Sequence, residues 1–197
     1  KVFYKVGDTP LIKLTVQPFL EDEDCKKIIL SISPNEQEDF KQILHNEQIV
    51  YTKGGATRQE SGYLGLQKVD TEYVMIHDGV RPFITSKHLN DIKDALKQDD
   101  AALLMIPLID TIKEVKDGYV VHTPERSHYY CAQTPQAFRT DLICKCHEEA
   151  RKHPDIIASD DAMLVELFSD SKIKVVEGSY DNIKVTTPKD LKQINNK

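Results

Sequence analysis

The chain is predicted to fold as one α/β domain with a Rossmann-like, mainly parallel twisted sheet, helices on both faces and a protruding β-hairpin arm. Three observations predict it. Short β-branched or aliphatic runs alternate with segments of helical spacing, the pattern of successive crossover units. A chain of 197 residues with 40% hydrophobic content can bury one sizeable core and is short for two. One stretch breaks the alternation with a turn signal between two strand-like runs.

The runs read as strands are Lys27 to Ile32, Gln48 to Thr52, Glu72 to Ile76, Ala101 to Ile106 and Lys172 to Val176. Helical spacing covers Leu11 to Leu20, Glu36 to Leu44, Gln59 to Gln67, Ser86 to Gln98, Thr140 to Lys152 and Ser159 to Phe168. Capping chemistry supports two helix starts. Ser159-Asp160-Asp161 opens one, and Thr187-Pro188-Lys189-Asp190 offers an N-cap hydroxyl, a proline at the first helical position and an early acid. Asp110 to Val115, the turn Lys116-Asp117-Gly118 and Tyr119 to Thr123 read as a hairpin. An isolated hairpin is marginal in water, so this arm, spanning 107–126, is expected to rest on its own domain or on a neighbouring subunit.

A formal net charge of −6 lacks the basic footprint of a nucleic-acid binder, so a small phosphorylated ligand is expected and nucleic acid is not. The four cysteines, Cys25, Cys131, Cys144 and Cys146, form no CxxC pair and no dense disulfide framework, which points to a reducing cytoplasm. Cys144 and His147 share a helix face but lack the further ligands a zinc site needs. No run approaches the roughly 20 apolar residues of a membrane span, and no signal peptide is visible.

Ligands of open α/β sheets gather beyond the carboxyl ends of the strands, where this sequence is unusually polar. His77, Asp78 and Arg81 follow one run, Asp110 and Thr111 another, and Asp181, Asn182 and Lys184 a third. Gly54-Gly55, Arg58 and Ser61 follow a fourth. Asp78 could take Mg²⁺ bridging nucleotide phosphates, or form a turn beside Gly79. Arg81 could grip a phosphate or bridge a loop to a helix. Gly54-Gly55 could admit a ligand close to the backbone, with Ser61 within reach of a base or ribose, or simply make a tight turn.

Read together, Gly54-Gly55 with Arg58 and Ser61, His77-Asp78-Gly79-Val80-Arg81-Pro82-Phe83, Asp110-Thr111-Ile112-Lys113, Gln133-Thr134-Pro135-Gln136-Ala137-Phe138, Ser159-Asp160-Asp161-Ala162 and Asp181-Asn182-Ile183-Lys184-Val185-Thr186 closely resemble the 2-C-methyl-D-erythritol 4-phosphate cytidylyltransferases. The resemblance covers essentially the whole chain. It implies transfer of CMP from CTP to methylerythritol phosphate in the non-mevalonate isoprenoid pathway, with release of pyrophosphate. It also implies Mg²⁺ on Asp78 and nucleotide contacts at Gly55, Ala56, Ser61 and Asp78. Lys1, Arg126 and Lys184 match catalytic residues, and Arg81, Thr111, Arg126 and Lys184 match substrate contacts. Thr111 and Arg126 would come from a partner's arm in a homodimer.

Two departures stand out. The family begins with a buried strand and a glycine-rich, arginine-bearing loop, both expected before Lys1. Ala56 stands where some relatives place an acid beside the base, leaving cytosine reading there to backbone groups. Two rival readings are a ribitol-5-phosphate cytidylyltransferase and a non-catalytic nucleotide-binding paralogue. A dinucleotide-dependent dehydrogenase fits less well, since no G-x-G-x-x-G follows a strand-like run.

Overall fold

A computed structural model describes residues 1–195. Four strands form the main sheet in the order β10 (Ile173–Glu177), β6 (Ala101–Pro107), β9 (Tyr130–Arg139) and β5 (Tyr73–Ile76). β10 and β6 pair in parallel, whereas β9 runs antiparallel to both β6 and β5. β5, β6 and β10 therefore point the same way, and β9 against them. A separate parallel pair joins β3 (Ile28–Ile32) to β4 (Ile49–Lys53). Two short strands, β1 (Lys5–Val6) and β2 (Thr9–Pro10), close a small turn before α1 (Leu11–Leu20).

Strand periodicity distributes the core. Ala101 and Phe138 pack with Ile143, Cys146, Leu164 and Val165 of α5 (Thr140–Ala150) and α6 (Asp161–Phe168). Their neighbours Ala102, Leu104 and Ala137 turn to the other face, against Ile92 and Leu96 at α4 (Ser86–Ala95). Helices cover both faces of the main sheet. β3 and β4 build a second cluster with Ile12, Val16 and Phe40, the last from α2 (Gln37–Ile43).

Between β3 and β5 lies an apolar groove of about 760 Å³, lined by both strands through Ile28, Leu30, Ile32, Val74 and Ile76. Among the described residues, β3 pairs only with β4, and β5 only with β9. Each strand therefore turns an unpaired edge toward the groove.

A hairpin shorter than the expected one forms from β7 (Glu114–Lys116) and β8 (Tyr119–His122), with Asp117 at φ 52° and Gly118 at φ 85° in its turn, and residues 110–113 lie outside its strands. It is exposed along its length, Tyr119 at 79% and Val120 at 63%. No helix among the described residues is long and apolar enough to cross a membrane.

Besides the two-residue strands β1 and β2, sequence patterning does not predict β9. Its residues Gln133, Thr134 and Gln136 are buried, although polar residues at such positions speak against a central strand. The register against β6 slips between Leu103 and Met105, opposite this polar stretch. Such irregularities redirect side chains beside functional sites.

Candidate active site

The site begins where β5 ends. Burial pushes the Asp78 carboxyl up, but the hydrogen bond and charge of Lys184 and the charges of Arg58 and Arg81 outweigh it and hold Asp78 below the usual carboxylate range. Lys184 Nζ lies 3.0 Å from Asp78 Oδ2, Arg81 Nε 3.4 Å from the same oxygen, and Arg58 Nε 3.9 Å from Oδ1. These groups, with Gln133, Thr134, Gln136 and Asp160, line a polar cavity of about 240 Å³. This cavity is smaller than the groove between β3 and β5 and more polar, and Asp78 and Arg58 line both.

Local bonding explains how the cluster is held. The Asp78 N–H donates to Thr134 Oγ1 at 3.0 Å, and His77 lies 2.9 Å from that oxygen through Nδ1 and 3.0 Å from the Arg81 carbonyl through Nε2. A carbonyl only accepts, so His77 Nε2 carries the proton, and Nδ1 accepts from the Thr134 hydroxyl. Burial lowers the His77 pKa to about 4, which keeps the ring neutral near pH 7 and fit for that paired role. Arg81 Nη1 donates to the Asn182 carbonyl at 2.8 Å. Asn182 is fully buried and donates to Gln133 Oε1 and the Thr134 carbonyl. The Val185 N–H donates to the Val80 carbonyl at 2.8 Å, which docks the Lys184 segment against the Asp78 loop.

The glycine loop folds onto the start of α3 (Arg58–Leu66). The N-cap Thr57 accepts from the Glu60 N–H, and Glu60 Oε2 accepts from the Ala56 N–H at 2.7 Å. The Gly55 N–H donates to Ser61 Oγ at 3.0 Å, and that hydroxyl donates to the Thr57 carbonyl. A Cβ on Gly55 would come within 2.5 Å of Glu60 Cβ, so only glycine fits this turn.

Across its residues 1–196 the chain matches the profile of the 2-C-methyl-D-erythritol 4-phosphate cytidylyltransferase family. It belongs to that family. The Bacillus mycoides protein of that name is 42% identical over 196 residues, covering 97% of this chain and 86% of the relative. The Geobacillus thermodenitrificans protein of that name is 43% identical over 97% of this chain and 85% of the relative. The fold is similar to the crystal structure of the 4-diphosphocytidyl-2C-methyl-D-erythritol synthase of Anaerococcus prevotii. That comparison has a TM-score of 0.93 and 34% identity, covering 99% of this chain and 91% of that one.

The structure thus brings Asp78, Arg81 and Lys184 together, three of the residues that the cytidylyltransferase resemblance singled out. Gly55 and Ala56 follow β4, and Ser61 of α3 accepts from the Gly55 N–H. Lys1 is exposed, and its carbonyl accepts from the Tyr4 N–H. Its neighbour Val2 reaches toward Gly79, where an added Cβ would lie 3.6 Å from Val2 Cγ1. Thr111 and Arg126 lie on the exposed arm, where an Arg126 guanidinium nitrogen donates to the Ile109 carbonyl. Among the described residues, no hydrogen bond or ion pair joins either to the Asp78 cluster.

Among the described residues no group of three or more acidic, histidine or cysteine side chains could hold a metal ion. Mg²⁺ does not require one, because it commonly takes one or two carboxylates and completes its shell with substrate phosphates and water. Asp78 suits that mode, since it is ionised, hard and open to the cavity. Asp160 is already occupied on both oxygens, by the Met163 N–H and Gln136 Nε2.

Proposed function

We propose that this chain transfers a cytidylyl group from CTP to the phosphate of 2-C-methyl-D-erythritol 4-phosphate and releases pyrophosphate. The observation that supports this most is the convergence of Lys184 and Arg81 on one ionised carboxylate at the wall of a small polar cavity. Reactants this negative repel one another, and fixed cations offset that repulsion. A phosphate monoester has its second pKa near about 6, so the nucleophile is largely ionised at neutral pH and needs no strong general base. What it needs is position.

In this reading Lys184 and Arg81 receive the substrate phosphate. Gly55, Ala56 and Ser61 form the nucleotide side of the site, and Lys1 neutralises charge at the α-phosphate. Asp78 holds Mg²⁺, which when bound supplies charge neutralisation for the triphosphate. Thr111 and Arg126 reach the cavity from the arm of a second copy of this chain. The exposure of Ile109, Val115, Tyr119, Val120 and Val121 supports a partner covering that arm. We read the two sheets as parts of one Rossmann-like, mainly parallel layer. The groove between β3 and β5 is where an additional extended strand of the full-length protein would pair with both unpaired edges. The four free cysteines fit a cytoplasmic setting.

Pyrophosphate release from Mg-CTP, measured with methylerythritol phosphate and ribitol 5-phosphate side by side, tests the reading. Release with the first substrate alone is expected. Release with ribitol 5-phosphate alone would reassign the substrate, and CTP binding without any release would mark a non-catalytic paralogue.

A further inference from the structure

Arg58 lines the Asp78 cavity, yet its short contact points away from Asp78. One Nη donates to Asp161 Oδ2 at 2.7 Å, while its Nε stays 3.9 Å from Asp78 Oδ1, beyond hydrogen-bond range. The other two cations both use Oδ2 of Asp78. Oδ1 therefore faces Arg58 at a distance and, among the described residues, carries no short ion pair.

Asp161 is built to hold that arginine. It is 1% exposed, and its Oδ1 lies 3.1 Å from Nε2 of the equally buried His147. An ionised carboxylate only accepts, so Nε2 carries the proton at this contact. The Asp161 N–H donates to Gln136 Oε1, which fixes the start of α6 to β9. Gly62 leaves the needed space, since a Cβ there would crowd His147 Cε1 at 3.3 Å and Asp161 Oδ1 at 3.4 Å. A continuous line of contacts thus runs from the α5 core through His147, Asp161 and Arg58 to the mouth of the cavity.

Two carboxylates compete for this guanidinium, and the buried one holds it at the shorter distance. We propose that Asp161, backed by His147, is a positioning residue that holds Arg58 off Asp78 and so keeps one oxygen of that carboxylate open to a divalent cation. The proposal rests on the reading of Asp78 as the metal-binding carboxylate. With the charge at Asp161 removed, Asp78 becomes the nearest anion to Arg58. The arginine then closes on Oδ1 and must be displaced before a cation can bind.

The test is equilibrium binding of Mn²⁺·CTP to the full-length protein without the second substrate, so that no turnover occurs, read by calorimetry and by the electron paramagnetic resonance of free Mn²⁺. Asp161→Asn is expected to weaken binding on the order of tenfold, the scale of one charge-assisted hydrogen bond that has to be broken first. Arg58→Gln is expected to bind at least as tightly as wild type, and the Arg58→Gln/Asp161→Asn double variant to match Arg58→Gln. The Mg²⁺ concentration giving half-maximal turnover should follow the same order.

Unchanged binding in a folded Asp161→Asn protein would overturn the proposal, as would a double variant as weak as Asp161→Asn alone. If Asp161→Asn fails to fold, Arg58→Gln decides. A guanidinium that grips the triphosphate gives weaker binding when lost, whereas one that competes for Asp78 does not. A wild-type protein that does not bind Mn²⁺·CTP would remove the nucleotide reading and this proposal with it, an outcome distinct from any ordering among the variants.

Discussion

Lys184 Nζ and Asp78 Oδ2 stand 3.0 Å apart, although one residue follows β5 and the other follows β10. The lysine side chain is 44% exposed and the aspartate 15%, so the pair sits at a cavity wall rather than in the core. Removing Lys184 therefore leaves no buried cavity, and Asp78 keeps Arg81 as a partner. Lys184→Ala is expected to lower turnover by roughly 10²–10³-fold, the scale of losing one positioned stabiliser of developing negative charge. Its melting temperature should stay within a few degrees of wild type. Steady-state pyrophosphate release and a thermal melt on the same preparation check both halves. Near-normal turnover would remove Lys184 from the reaction.

Gln136 is 1% exposed and joins β9 to α6 by its side chain. Its Oε1 accepts from the Asp161 and Ala162 N–H groups, and its Nε2 donates to Asp160 at 2.8 Å. Gln136→Leu keeps approximate volume but strands two main-chain donors and a carboxylate oxygen. At about 1–3 kcal/mol per orphaned buried group, with partial relief by relaxation, a loss of roughly 2–4 kcal/mol is expected from denaturant unfolding. A loss below about 1 kcal/mol would show that the amide contributes little to anchoring α6.

The same glutamine shows why part of this molecule was legible in the sequence and part was not. Strands β3, β5 and β10 are legible because their runs are largely apolar, and Asp78, Arg81 and Lys184 follow as polar exits from such runs. β9 was hidden because Gln133, Thr134 and Gln136 break the apolar pattern, and Pro135 lacks the N–H that a ladder uses. These side chains are satisfied by partners distant in sequence: Gln133 by Ser179 and Asn182, Thr134 by His77 and Asp78. No local window contains both halves of such a bond. The Arg58–Asp161 pair is illegible for the same reason, although each residue belongs to one of the motifs that carry the family resemblance. Ser61, which the sequence places within reach of a base or ribose, has its hydroxyl between the Gly55 N–H and the Thr57 carbonyl, a pairing that again joins the turn to the helix after it.

Asp190 controls the entry to α7 (Pro188–Asn195) and thereby the segment that carries Lys184. Its Oδ2 accepts from the N–H groups of Thr186 and Thr187, both at 2.8 Å. Those two backbone donors, with help from the threonine hydroxyls, pull its pKa down to about 2. A carboxylate with a depressed folded pKa contributes stability that is present above its ordinary pKa near about 3.9. That contribution is lost as the pH falls through about 2. Asp190→Asn is thus expected to melt earlier than wild type at pH 7, with the gap closing as the pH approaches 2. Paired melts at pH 7, 4 and 2 check it, and a gap independent of pH would assign the effect to packing.

The arm offers the most direct test of the quaternary reading. Tyr119, Val120 and Val121 are 79%, 63% and 56% exposed on a hairpin that a single chain leaves uncovered. Two strands alone gain too little to hold their place in water, so a partner surface is expected to bury these side chains. Tyr119→Glu combined with Val120→Lys places charges on that apolar edge, and desolvating them opposes association. Sedimentation should then show a dimer for wild type and a monomer for the double variant. If Thr111 and Arg126 act across the interface, turnover falls with the dimer, and the wild-type rate per chain falls on dilution below the dissociation constant. An intact dimer with full activity in the double variant would place the interface elsewhere. Arg126 would then be an arm residue whose guanidinium bonds the Ile109 carbonyl of its own chain.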